Sequence, residues 1–166
     1  MTKITVDMFE SARQHAHEQG YFMTEHGTGH SMRFGRLGEN VFEEILKAAG
    51  KKYHYAADVH KRARYDFMAY QHGIGRTIEI KTIANPRYSK LMIPLSQWLN
   101  KPKDYYFLVY VDEERMQGRI IGYASRKFIK DRGNPATYNG NDVIEVYASE
   151  LEIGSLLIRG FDNEVK

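Results

Sequence analysis

Hydrophobic positions along this chain fall first at helical spacing and then at strand spacing. Residues 7–19 read as a helix, because Asp7 and Glu10 stand three apart as a capping box and Gly20 is a natural stop. The stretch 24–35 carries Gly27, Gly29 and Gly35 together with His26 and His30, and predicts a loop. From 36 to 49, Leu37, Val41, Phe42, Ile45, Leu46, Ala48 and Ala49 fall on one broad face of a second helix, which Gly50 stops. Glu39 lies at an edge of that face, one and two turns from Phe42 and Leu46. Glu44 borders the other edge, and Glu43 points further out.

Strand patterns follow at 53–58, 64–71 and 76–83. Residues 91–99 contain Pro94 and predict a short helix that Pro102 ends. The run 105–112 (YYFLVYVD) is almost continuously apolar, as a strand covered on both faces requires. Beyond it, 119–124 reads as a strand, 125–131 as a short basic helix, 132–141 (RGNPATYNGN) as a loop and 143–147 as a last strand, leading into an apolar segment at 151–157. This order predicts an α/β or α+β class: one mixed sheet flanked by helices, with a strand-rich C-terminal extension. At 166 residues the chain has the size of one domain. Its parts are an N-terminal helix and loop (1–35), a core (36–112) and the extension (113–166).

Composition narrows this only a little. With 42% hydrophobic residues the chain is not disordered, and with no cysteine it has no disulfide framework, zinc ribbon or thiolate chemistry. Twenty-four Lys plus Arg against 21 Asp plus Glu leave a net charge of +3, too small to identify a nucleic-acid binder without local clustering. The N-terminal run MTKITVDMFESARQ lacks the apolar centre of a signal peptide, and no segment has the apolar length of a membrane span. A cytoplasmic protein without membrane attachment is expected.

Candidate chemistry concentrates between Arg64 and Lys81. Strand alternation puts Asp66, Met68 and Tyr70 on one face, and Thr77, Glu79 and Lys81 on one face of the next strand. A turn centred on His72–Gly73 sets Asp66 opposite Glu79, where Cβ atoms stand about 4.5–5.5 Å apart. Two carboxylates so close repel unless a cation lies between them, and a hard divalent ion takes such oxygen ligands. Lys81, next but one to Glu79, is placed to hold or polarise an attacking water. The competing reading of Glu79-Ile80-Lys81 is a solvated salt-bridge face. Two features weigh against it: apolar neighbours flank Asp66 and Glu79, and Glu39 sits at the edge of a buried helix face, where a charge needs a partner.

GRLGENVFEEILKAAG, Asp66, Glu79-Ile80-Lys81 and Ser96-Gln97-Trp98, in that order, resemble the PD-(D/E)XK nuclease superfamily. That superfamily includes restriction endonucleases, archaeal-type Holliday junction resolvases and many phage nucleases. The likeness spans Arg36 to Asp112; Tyr65 stands where the motif has proline. It implies a restriction-endonuclease-like sheet and a Mg²⁺- or Mn²⁺-dependent endonuclease that hydrolyses DNA phosphodiesters, RNA being open. Asp66 and Glu79 would ligate the metal, with the Ile80 carbonyl nearby, and Glu39 would hold a second metal or its water. Lys81 would orient the water and stabilise developing charge, and Gln97 would stand near the metal or the scissile phosphate. Two alternatives share the fold: an inactive nucleic-acid-binding module, and a junction resolvase, which needs a homodimer to cut two strands. A structural domain with a solvated acidic face is the third.

Three basic groups are candidate backbone contacts: Lys51, Lys52, His54, His60, Lys61, Arg62 and Arg64; Arg87, Lys90, Lys101 and Lys103; and Arg126, Lys127, Lys130 and Arg132. Among seven histidines, His26 and His30 have a metal spacing only on a helix, which Gly27 and Gly29 oppose, and His15 and His17 point to different faces. Setting the carboxylates of Glu39, Asp66 and Glu79 aside for cations takes the remaining charge from +3 to +6, so the near balance is compatible with a phosphodiesterase.

Overall fold

A computed structural model describes residues 2–18, 28–56 and 65–165. Helix α1 (Val6–Glu18) begins earlier than the Asp7 cap predicts: the Thr5 hydroxyl accepts the Met8 N–H at 3.2 Å, and Asp7 lies within the first turn. Helix α2 (Thr28–Ala48) does not stop where the glycines suggest: it begins eight residues before Arg36. Gly29 and Gly35 cost helix propensity of about 1 kcal/mol each, but tertiary contacts outweigh that cost. Arg33 pairs with Glu113 at 2.9 Å and lies over the rings of Phe9 and Phe34 at 5.1 and 5.6 Å. The first residues of the expected loop, 24–27, lie outside the described residues, as do 57–64 with His60, Lys61, Arg62 and Arg64. The side chains of His15, His17 and His30 are likewise outside the description.

The strands are β1 (Thr2–Lys3), β2 (Tyr53–Tyr55), β3 (Phe67–Gln71), β4 (Ile74–Ile83), β5 (Lys90–Pro94), β6 (Tyr105–Asp112), β7 (Gln117–Ser125), β8 (Asn134–Tyr138) and β9 (Asn141–Tyr147). Three short helices complete the order, α3 (Leu95–Asn100), α4 (Arg126–Arg132) and α5 (Gly154–Arg159). Six strands form a mixed sheet in the order β1-β7-β6-β4-β3-β2, and β5-β9-β8 form a second, antiparallel one. The fold class is therefore mixed α+β, with the large sheet flanked by helices. β4 and β6 run parallel, and the crossover between them carries β5 and α3.

Two expectations fail for the same reason. Residues 90–94 form a strand rather than entering a helix, and 134–138 form a strand rather than a loop. Asn139 and Gly140, with φ of 50° and 78°, make the two-residue hairpin turn that this dipeptide favours, and Pro135 is tolerated because β8 is an edge strand. Neither strand has strong periodicity of its own; each is a strand because β9 pairs with it.

Strand β6 alternates between two cores, as its unbroken apolar run requires. Phe107, Val109 and Val111 meet Leu37, Val41, Phe42 and Leu46 of α2 on one face. Tyr106 and Leu108 meet Leu91, Ile93, Ile129 and Val146 on the other. Fully burying side chains of this size contributes about 1.5–3 kcal/mol each. Ala48 and Ala49, expected on the buried face, are exposed, whereas Glu43 is turned in to accept the Tyr53 hydroxyl at 3.0 Å. α2 crosses β4 at Gly38, where a Cβ would lie 2.0 Å from Thr82 Oγ1. No helix among the described residues is long and apolar enough to cross a membrane.

Candidate active site

The site occupies a gap that the strand lengths create. β3 and β4 are joined by His72–Gly73, both at positive φ (51° and 77°), and their register ends at Phe67↔Ile78. β4 continues alone to Ile83 on that flank, while its other flank stays paired with β6. Asp66 fills the vacant flank. Its N–H donates to the Ile78 carbonyl at 3.0 Å, and its Oδ2 accepts the Ile80 N–H at 2.8 Å. Asp66 therefore brackets Glu79 through both its neighbours instead of facing it as a ladder partner, a small change from the opposed pair that the hairpin predicts. A strand residue's N–H and C=O point to the same flank, so the Ile80 carbonyl opens toward Asp66.

Helix α2 brings Glu39 to the same gap. Its carboxyl is hydrogen-bonded to Asp66 and holds its proton far above the ordinary range, because burial strips water from it and the Asp66 charge adds to that. The Asp66 carboxyl is pushed up to about 7, first by burial and then by Glu79, against the Ile80 N–H and Lys81 that favour its charge. Arg36, one turn before Glu39, opposes the shift on Glu39. Its guanidinium donates to the Tyr55 hydroxyl and lies over that ring at 4.6 Å. Tyr55 stacks on Phe67 with centroids 4.4 Å apart, and its phenol proton is held well above its usual range by burial and by Glu39.

On the other face of β4, Lys81 Nζ donates to Glu79 Oε1 at 3.2 Å and to Gln97 Oε1 at 3.1 Å. All six residues singled out from the sequence, Glu39, Asp66, Glu79, Ile80, Lys81 and Gln97, thus belong to one connected neighbourhood. Gln97, on exposed α3, reaches it through Lys81.

Lys103 belongs to this neighbourhood as well, and the basic-group reading misplaces it as a surface contact. It is 7% exposed; burial lowers its amine, while the nearby charges of Glu79 and Asp66 act in the opposite sense. Its Nζ donates to the Lys101 carbonyl, and its N–H donates to the Tyr106 hydroxyl at 2.8 Å. Nothing local in the sequence marks it; the parallel register Glu79↔Tyr106 brings it close. Lys51 is also no backbone contact, since its buried amine donates to the carbonyls of Arg159 and Phe161 and to Asn163 Oδ1. Trp98 is half-buried against Tyr106, with centroids 6.1 Å apart.

The donor set is all hard oxygen, the chemistry Mg²⁺ and Mn²⁺ take. Among the described residues, however, no three His, Cys, Asp or Glu side chains are grouped closely enough to hold an ion. The acids are partnered in pairs, Glu39 with Asp66 and Glu79 with Lys81. Compared with protein-family models, curated proteins and solved structures, the chain matches none.

Proposed function

We propose that this chain is a metal-dependent nuclease of the PD-(D/E)XK type, a single restriction-endonuclease-like domain that hydrolyses DNA phosphodiesters with Mg²⁺ or Mn²⁺. The observation that carries the reading is the crowding of Glu39 and Asp66 on the open flank of β4, close enough to Glu79 for its charge to raise both. Buried acids that must hold protons at neutral pH reduce stability unless a cation joins them. With their present pairings opened, Glu39, Asp66, Glu79 and the Ile80 carbonyl would hold the ion, which when bound polarises the phosphate and lowers the proton affinity of a bound water. Lys81 positions the attacking water and meets the charge that builds on the phosphate. Gln97 accepts from the Lys81 amine alongside Glu79 and helps to fix it. Lys103 adds a second amine within reach of the charges of Glu79 and Asp66.

The pairwise closure of the acids favours one competing reading, a nucleic-acid-binding module of the same fold without cleavage. Labelled linear, branched and single-stranded DNA, and RNA, incubated with Mg²⁺ or with EDTA, separate the two. Metal-dependent cutting that disappears in Glu79→Ala and Lys81→Ala is expected. Cutting that survives both substitutions refutes the site, and binding without cutting in Mg²⁺, or in Mn²⁺ put in its place, establishes the module. Cutting of a four-way junction by a dimer alone would identify a resolvase.

A further inference from the structure

The small sheet has an outer face that its fold does not explain. An antiparallel sheet packed on one side ordinarily turns polar residues outward on the other. Here Leu91, Ile93 and Val146 point into the core, and the register places Lys90 beside Tyr147, Met92 beside Glu145 and Pro94 beside Val143 on the opposite face. Tyr147, Met92 and Tyr138 are 45%, 41% and 40% exposed, and Leu99 on neighbouring α3 is 69% exposed. These are four of the nine large apolar side chains left exposed among the described residues. Beside them lies an open groove of about 1100 Å³ whose lining includes Met92, Leu99, Tyr138, Asp142 and Lys81.

The rings are held in place rather than loosely attached. Lys90 Nζ lies 5.0 Å from the Tyr147 ring centroid and 5.5 Å from that of Tyr138, and donates to the Tyr138 hydroxyl at 2.9 Å. Tyr138 in turn donates to Glu145 at 2.6 Å, and Glu145 is buried beneath this cluster. Asp142, the other acid at the hairpin, is engaged by the Thr137 hydroxyl at 2.9 Å. Lys90, beside the groove, is ion-paired with Glu145 at 3.5 Å, and Lys81, at the groove, with Glu79 at 3.2 Å, so each amine already has an acid partner that a phosphate would replace. Flat, ordered aromatic surface between two cations is complementary to bases joined by phosphates. A duplex keeps its base faces stacked inside, so this surface suits an unpaired strand.

We infer that the outer face of the small sheet and its groove hold a single-stranded stretch of DNA and lead it to Lys81. Bases stack on Tyr138 and Tyr147, Met92 and Leu99 flank them, and phosphates meet Lys90 and Lys81. That the strand is DNA, and what happens to it at Lys81, rest on the nuclease reading; the binding of a single strand does not.

The test is fluorescence anisotropy of a labelled short oligothymidylate, its duplex and an oligouridylate, with the full chain in EDTA so that nothing is cut. The expected order is oligothymidylate bound most tightly. Tyr147→Ala and Leu99→Ser should each weaken it about 5- to 100-fold, by the usual magnitude of a lost stacking contact. Tyr147→Phe should bind as the wild type does, and melting temperatures should show that the variants fold. Unchanged affinity in both Tyr147→Ala and Leu99→Ser, or tighter binding of the duplex or the uridylate, overturns the inference. If the wild type cuts duplex DNA while these variants bind like it, only this inference falls. If the wild type neither binds nor cuts any nucleic acid, the nuclease reading falls with it.

Discussion

Replacing Asp66 by Asn should stabilise the metal-free protein above neutral pH. Raised from an ordinary 3.8 to about 7, the Asp66 carboxyl favours its protonated form in the folded chain by about 4 kcal/mol, at about 1.4 kcal/mol per tenfold. Between about pH 4 and pH 7 the folded state keeps a proton that the unfolded chain has released. Wild-type stability therefore falls as pH rises through that window and stays reduced above it. Asn carries no charge to desolvate, and its Oδ1 still accepts the Ile80 N–H. Part of the gain is lost because Asn replaces a carboxylate acceptor for the Glu39 proton. A net gain of about 1–3 kcal/mol at pH 8 is expected, or about 3–10 °C in melting temperature for a domain of this size. Thermal unfolding in EDTA at several pH values measures it directly. At pH 4 and below the two proteins should converge, because the wild type already holds its proton in both states. A destabilised variant at pH 8, or the same difference at pH 4 and pH 8, would show that the acids are not crowded.

Three other substitutions probe what holds the site. Gly38→Ala drives a Cβ into Thr82 Oγ1 at 2.0 Å; it should cost about 1–3 kcal/mol in urea unfolding, with Thr82→Ala recovering part of that loss in the double variant. Phe42→Ala, which removes a ring 4.7 Å from Phe107 and 5.1 Å from Phe67, should cost about 3–5 kcal/mol by the same measurement. Asp162 accepts the N–H groups of His72 and Gly73 at 3.0 and 2.8 Å, and those bonds hold its carboxyl below the usual range. Its contribution is present above about pH 4 and lost as pH falls through its folded value. Asp162→Ala should therefore lower the melting temperature at pH 7 by an amount that shrinks as pH falls below about 4; a loss that does not shrink would exclude the turn contact.

Much of this molecule was legible in its amino-acid order because the signals were local. The heptad-like stripe of α2 from Leu37 to Leu46 and the unbroken apolar run of β6 each encode their own burial, since period and hydrophobicity suffice to place them. The His72–Gly73 turn set the register that brings Asp66 to the flanks of Glu79, and strand alternation put Lys81 on the Glu79 side. What the order could not carry were the contacts between distant segments. Arg33 needed Glu113 to extend α2 through two glycines, and β5 and β8 needed β9 to become strands. Lys103 became a neighbour of the acids only through the parallel pairing of β4 with β6. Because β3 begins one residue after Asp66, the Ile80 N–H had no strand partner, and a side-chain oxygen took that place. Local chemistry determined which residues could form the site; strand lengths and pairing, which depend on the whole chain, decided how their charges meet.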